Sequence, residues 1–110
     1  MAYINPFIKV NKGGIPTLEA TGLTLSGNNA TYTFREHAFL NYPYRGLLIF
    51  KLPASTAAGA GSVTFKSGSD AGVIAYDYSG TALESNATNL LTGGVYVAWY
   101  ADGKLLLLNV

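Results

Sequence analysis

The sequence predicts an all-β fold, a compact antiparallel β-sandwich or small barrel with an N-terminal extended arm. Three observations carry that expectation. Thr, Val, Tyr and Phe gather in short runs; Gly, Asn, Ser and Pro separate the runs; and no stretch carries a convincing helical stripe. At 110 residues the chain has the size of one domain. Residues 1–14 are expected to form an arm or edge strand, and residues 15–110 a single β domain.

In the arm, Ile4, Ile8 and Val10 alternate with Asn5, Phe7 and Lys9. Pro6 cannot donate to a ladder and keeps this segment out of a sheet interior. Gly13, Gly14 and Pro16 break the chain before a second run over residues 17–25, which ends in the polar turn Ser26-Gly27-Asn28-Asn29. Over residues 30–35, Tyr32 and Phe34 share one face while Thr31, Thr33 and Arg35 take the other, the alternation of a half-buried strand. Across the polar turn this run is expected to pair with residues 23–25 as a hairpin. Asn41-Tyr42-Pro43-Tyr44 reads as a turn or crossover, because Pro43 biases Tyr42 towards extended geometry.

Residues 46–52 form the next strand. Leu48, Phe50 and Leu52 point one way and Leu47, Ile49 and Lys51 the other, so both faces are largely apolar and a central position follows. Residues 53–61 are rich in small side chains and read as a mobile loop with almost nothing to bury. Two further strands, over residues 62–65 and 72–78, flank the turn Ser67-Gly68-Ser69-Asp70, with Val63 and Phe65 inward. Residues 81–89 are expected to hold at most one short turn of helix.

The strongest local signal lies near the end of the chain. Asp102-Gly103 sits between two β-rich runs, and this pair favours a two-residue type I′ hairpin because both turn positions need positive φ. Pairing Ala101 with Lys104 then sets Trp99 opposite Leu106, Val97 opposite Leu108 and Val95 opposite Val110, a continuous apolar face. The opposite face carries Tyr96, Ala98, Tyr100, Leu105 and Leu107 and is also mostly apolar. A chain this small cannot easily hide both faces, so either loops or a neighbouring subunit cover the second, and a subunit is the favoured expectation. Burying about 500 Å² of it is worth roughly 12 kcal/mol gross, before the entropic costs of association.

Composition narrows the chemistry. Charged residues are 12% of the chain and the net charge is +1, which gives no electrostatic footprint for nucleic acid. No run is long enough to cross a bilayer as a helix, and the start of the chain lacks the basic and apolar regions of a secretory signal, so a soluble protein without a membrane partner is expected. The acceptor patterns Asn29-Ala30-Thr31 and Asn86-Ala87-Thr88 are therefore read as polar loop residues. There is no cysteine, which removes disulfides and thiolate chemistry.

His37 is the only histidine and the acids are scattered, a poor start for a zinc site. A triad of His37, Asp77 and a serine would lack the Gly-x-Ser-x-Gly elbow, and nothing supports Glu36 with Asp77 as a glycosidase pair. The glycines form neither a dinucleotide nor a phosphate loop. No catalytic, metal or cofactor-binding residue is assigned, and no enzymatic activity is expected. The aromatics are better candidates, since flat amphipathic rings serve both protein interfaces and sugar stacking. Trp99 and Tyr32 fit a core role. Tyr42, Pro43, Tyr44 and Arg45 have the composition of an interaction hot spot on a rigid turn.

The run from Tyr32 to Pro53, YTFREHAFLNYPYRGLLIFKLP, is similar to one in small virion proteins of crAss-like tailed bacteriophages. Gly93-Gly94-Val95-Tyr96-Val97-Ala98-Trp99-Tyr100, followed by Lys104-Leu105-Leu106-Leu107-Leu108, resembles the end of the same proteins. The resemblance implies a structural protein of the capsid, an auxiliary (decoration or cement) subunit made in the host cytoplasm and carried in the virion. Its implied partners are the major capsid protein and other virion subunits, with a homo-oligomer also open. The partner-binding candidates are Tyr3, Phe7 and Lys9 in the arm, Tyr42, Tyr44 and Arg45 in the turn, and Tyr96 and Tyr100 in the hairpin. The alternative is a carbohydrate-binding or adhesion module of a head fibre, which requires a row of exposed aromatics flanked by Asn or Asp.

Overall fold

A computed structural model describes residues 8–10, 15–35, 45–57, 59–68 and 72–110. Strands occupy 55% of these residues. In chain order they are β1 (Ile8–Val10), β2 (Pro16–Glu19), β3 (Gly22–Ser26), β4 (Asn29–Phe34), β5 (Gly46–Leu52), β6 (Val63–Ser67), β7 (Val73–Asp77), β8 (Gly94–Ala101) and β9 (Lys104–Leu107). One short helix, α1 (Thr88–Thr92), precedes β8 and ends where Gly93 turns the chain at φ 73°. The strands hydrogen-bond in the order β1-β2-β5-β8-β9-β7-β6-β4-β3, a single sheet that curls into a half-barrel.

The expected all-β class is observed, but the sheet is mixed rather than antiparallel and is not a sandwich. Three pairs are parallel, β2 with β5, β4 with β6 and β7 with β9. Each joins strands that are not consecutive in the chain. Turn chemistry reports only on neighbours joined by short loops, so it leaves the direction of these distant pairs unspecified.

The curl follows from how β2 and β3 are joined. They occupy positions near opposite margins of the sheet, yet only Ala20 and Thr21 separate them. The Ala20 amide donates to the Lys51 carbonyl at 3.0 Å and the Thr21 amide to the Thr33 carbonyl at 2.8 Å. One bent extended run is thereby fastened to β5 at one end and to β4 at the other, which draws the two margins together. Strands that pass from one sheet region to another make corners in this way. The single run expected over residues 17–25 is thus two strands across a corner.

The concave side holds the core. Alternate residues of β2 and of β4 to β9 enter it: Leu18, Tyr32, Phe34, Leu48, Phe50, Leu52, Val63, Phe65 and Ala75, with Tyr96, Ala98, Tyr100, Leu105 and Leu107 from the last hairpin. Phe50 of β5 meets Phe65 of β6 edge-on with centroids 4.8 Å apart, and Phe34 of β4 lies 5.3 Å from Phe50. Rings from strands far apart in the ladder touch only because the sheet has rolled up. Such pairs add about 0.5–1.5 kcal/mol each beyond the area they bury.

The hairpin expected between residues 23–25 and 30–35 is present, with Leu25 opposite Ala30 and Gly27 at φ 61° in the turn. Residues 53–61 depart from the expected mobile loop. Ser55 and Ala57 are buried, and Gly61 is pressed so closely against the β3–β4 turn that a β-carbon there would lie 2.2 Å from the Asn28 carbonyl oxygen. Small side chains here permit close packing of backbone rather than freedom. Residues 81–87 are seated by the same contacts. The Ser85 amide donates to the Gly61 carbonyl at 3.0 Å, and the Ser85 hydroxyl, wholly buried, lies against the carbonyls of Asn28 and Gly59.

Candidate functional site

The convex side of β5, β8, β9 and β7 carries the most distinctive surface among the described residues. Its construction follows from register. Leu47 of β5 is opposite Trp99 of β8, Trp99 is opposite Leu106 of β9, and Leu106 is level with Tyr76 of β7. Side chains level with one another on one face of a ladder form a row. A second row places Ile49 beside Val97, and a third places Lys51 beside Val95. Val95 is 57% exposed and Trp99 37%, and Leu47, Leu108 and Ile74 are also exposed.

Charges stand at the two ends of this face. At the hairpin end Arg45 pairs with Asp102 at 2.8 Å, and the Lys104 ammonium sits 4.7 Å from the centre of the Tyr76 ring. At the other end Lys51 and Glu19 approach to 3.9 Å. These ion pairs are solvent-exposed and contribute only about 0–1 kcal/mol each to stability. The hairpin turn is the expected one: Asp102 and Gly103 have φ of 54° and 76°. Pairing of Ala101 with Lys104 and of Trp99 with Leu106 is also observed. Beyond Leu107 the Leu108 amide still donates to the Val97 carbonyl at 2.8 Å, and from there a side chain continues the ladder: the Asn109 amide accepts from the Val97 amide at 2.8 Å and donates to the Val95 carbonyl at 3.1 Å. Asn109 therefore takes the place expected for the Val95–Val110 pair.

Two partner-binding candidates are corrected. Tyr96 and Tyr100 are only 4% and 1% exposed and belong to the core. The Tyr96 hydroxyl donates to the Asn89 carbonyl near the start of α1. Trp99, expected inside, stands on the outer face instead. With two apolar faces available, the hairpin turned the one bearing its lysine outward: Lys104 lies level with Ala101 and so on the side of Trp99 and Leu106. Lys51 marks the same side of β5. Lysine parity is thus the signal in the sequence that separates the two faces, because a buried unpaired ammonium is far costlier than an exposed tryptophan.

Arg45 is exposed as expected, and its guanidinium is engaged by Asp102. Lys9 lies in β1, which pairs antiparallel with β2. Tyr3, Phe7, Tyr42 and Tyr44, together with His37 and Glu36, lie outside the described residues. The outer face also holds Tyr76, one of the aromatics suited to an interface or sugar platform, and Leu106, Leu47 and Val95, none of which is among the partner-binding candidates.

The concave side offers no comparable surface. Tyr32, Ser55 and Tyr96 bring hydroxyls together inside it. Burial pushes the Tyr32 phenol above its usual pKa, the neighbouring Ser55 hydroxyl tempers the rise, and the nearby Tyr96 phenol adds to it. Ser55 donates to the Ser85 carbonyl at 3.3 Å and accepts from the Ala57 amide at 3.4 Å, and the Tyr32 hydroxyl has no partner in hydrogen-bonding geometry among the described residues. Asp77 is held in an exposed turn: its carboxylate accepts from the Ser79 hydroxyl at 2.6 Å and from the amides of Ser79 and Thr81. Those bonds, led by the Ser79 hydroxyl, lower its pKa. The geometry is that of a turn lock. Among the described residues no three His, Asp or Glu side chains converge as a metal site would require. Comparison with protein-family models, curated proteins and solved structures finds no match to this chain.

Proposed function

We propose that this chain is a non-enzymatic structural subunit of a tailed-phage virion, an auxiliary capsid protein that binds the major capsid protein and stabilises the shell. The observation that supports this reading best is the convex face of β5, β8, β9 and β7. A row in which Leu47 and Trp99 are exposed and Leu106 and Tyr76 half-buried is a surface suited to be covered by another polypeptide. The resemblance of residues 32–53 and 93–108 to small virion proteins of crAss-like phages points to the particle as the place where that happens. A cement subunit gains from repetition, because one modest interface multiplied over a lattice resists internal pressure without any single strong contact. In this reading the arm, with Tyr3, Phe7 and Lys9, and the turn, with Tyr42, Tyr44 and Arg45, contact the major capsid protein.

The test is protein identification in purified particles, with the subunit located by electron microscopy. Detection at stoichiometric copy number on the shell is the expected result, and absence from particles removes the proposal. One observation favours the alternative of a glycan-binding module: Trp99 and Tyr76 lie in one row, two strands or about 10 Å apart. Leu106 lies between them and Lys104 caps the Tyr76 ring, which makes the row a better match for protein than for sugar. Binding of the isolated domain to a glycan array would reverse that preference.

A further inference from the structure

We infer that the convex face pairs with the same face of a second copy, so that the working subunit is a back-to-back dimer of half-barrels. This rests on the structural-subunit reading above and names what covers its exposed face. Three properties of the face select a second copy. The first is area. The exposed parts of Leu47, Ile74, Val95, Trp99 and Leu108, with the half-buried side chains between them, amount to on the order of 600 Å². That is at the upper limit for a bare monomer surface and close to the roughly 800 Å² that each partner contributes to an ordinary interface.

The second property is shape. The row nearest the hairpin turn carries the two rings of the face, Trp99 and Tyr76, with Leu47 and Leu106, whereas the rows further along carry no ring: Ile49, Val97 and Leu108, then Lys51 and Val95. Two such faces related by a twofold axis across the strands set the large row of each against the smaller rows of the other. Alternation of large and small across facing layers is what allows two sheets to interdigitate at about 10 Å separation.

The third is charge. The same twofold brings the Arg45, Asp102 and Lys104 end of one copy over the Glu19 and Lys51 end of the other. Because this axis keeps the strand order, Glu19 and Lys51 of the second copy fall on the Arg45 side of the first, with the Glu19 carboxylate towards the guanidinium, while Lys104 on β9 lies three strands away. Both ends carry both signs, so the arrangement does not repel itself. An isologous contact of this kind closes on itself and leaves Arg45 and β1 at its margin.

Sedimentation equilibrium of the full chain over about 1–200 µM decides the matter. A concentration-dependent dimer is expected, with Trp99 fluorescence shifting to shorter wavelength as it forms. Trp99→Lys and Val95→Lys should each raise the dissociation constant at least tenfold while circular dichroism and the melting temperature stay near the parent values. Leu25→Lys, on the distant β3 hairpin, should leave association unchanged. A chain that remains monomeric across this range overturns the inference, as does a dimer indifferent to Trp99→Lys and Val95→Lys. A monomer found on purified particles would leave the virion reading intact, and a dimer absent from particles would leave the dimer intact.

Discussion

Replacing Gly61 with alanine tests the packing of residues 53–61 directly. A β-carbon at this position would meet the Asn28 carbonyl oxygen at 2.2 Å, the Asn28 carbonyl carbon at 2.5 Å and Asn29 Oδ1 at 2.8 Å. Ordinary contact begins near 3.4 Å, so the loop and the β3–β4 turn must separate by about 1.2 Å, and two of the three obstructing atoms are backbone. That displacement strains the bonds which hold the turn in place: Ala30 amide to Ser62 carbonyl at 2.9 Å, Ser62 amide to Asn29 Oδ1 at 2.9 Å, and Ser85 amide to Gly61 carbonyl at 3.0 Å. Overpacking costs about 1–3 kcal/mol and each hydrogen bond lost adds about 0.5–1.5 kcal/mol. Alanine's smaller entropy in the unfolded chain returns only about 0.4–1 kcal/mol. A net loss of about 2–3 kcal/mol is expected, which lowers Tm by about 10–20 °C for a domain of this size. Thermal and urea melts followed by circular dichroism measure it, with Gly22→Ala as the comparison because its β-carbon meets open space. If Gly61→Ala melts within a couple of degrees of Gly22→Ala, residues 59–62 are not seated on the turn and the account of this loop is wrong.

Removing the Tyr32 hydroxyl with Tyr32→Phe should leave stability unchanged or raise it by up to about 1 kcal/mol, since the group is buried without a partner. Ser85→Ala should do the opposite and lose about 1–3 kcal/mol in urea melts, because the carbonyls of Asn28 and Gly59 lose their donor. On the acid side, Asp77 has a folded pKa below its ordinary 3.8, so its contribution is present above that value and fades as pH falls through the folded one. Melting temperature against pH should therefore fall less steeply below pH 4 in Asp77→Ala than in the parent. On the alkaline side, burial raises the pKa of Tyr32, Tyr96 and Tyr100 above the ordinary 10.0. The stability they confer is complete below pH 10 and is lost as pH rises past it, a loss that absorbance of tyrosinate at 295 nm should track with unfolding.

Local chemistry in the sequence located what is local in the fold. Asp102-Gly103 specified the last hairpin and its register, Gly27-Asn28 the first, and the doubly apolar 46–52 run a strand paired on both sides. Direction and closure were hidden, because β2 beside β5 and β4 beside β6 are contacts between segments that no short turn connects. The small residues of 53–61 were misread for a related reason. Alanine, serine and glycine look unfit for burial when judged by side-chain area, yet they are suited to a place where backbone lies on backbone. At the candidate site, alternation revealed both faces of β8 but not which one faced water. That choice was encoded in the parity of Lys51 and Lys104, two residues easily passed over beside so many aromatics.

The bent run that fastens β2 to β5 and β3 to β4 also dictates when the molecule can take shape. β5 is completed only by β8, where Gly46 stands opposite Tyr100, so the β1–β2 margin cannot be joined to the rest of the sheet until residues near 100 have left the ribosome. No earlier fragment holds a finished core to wait in. A polypeptide of this kind reaches its finished shape in one late step.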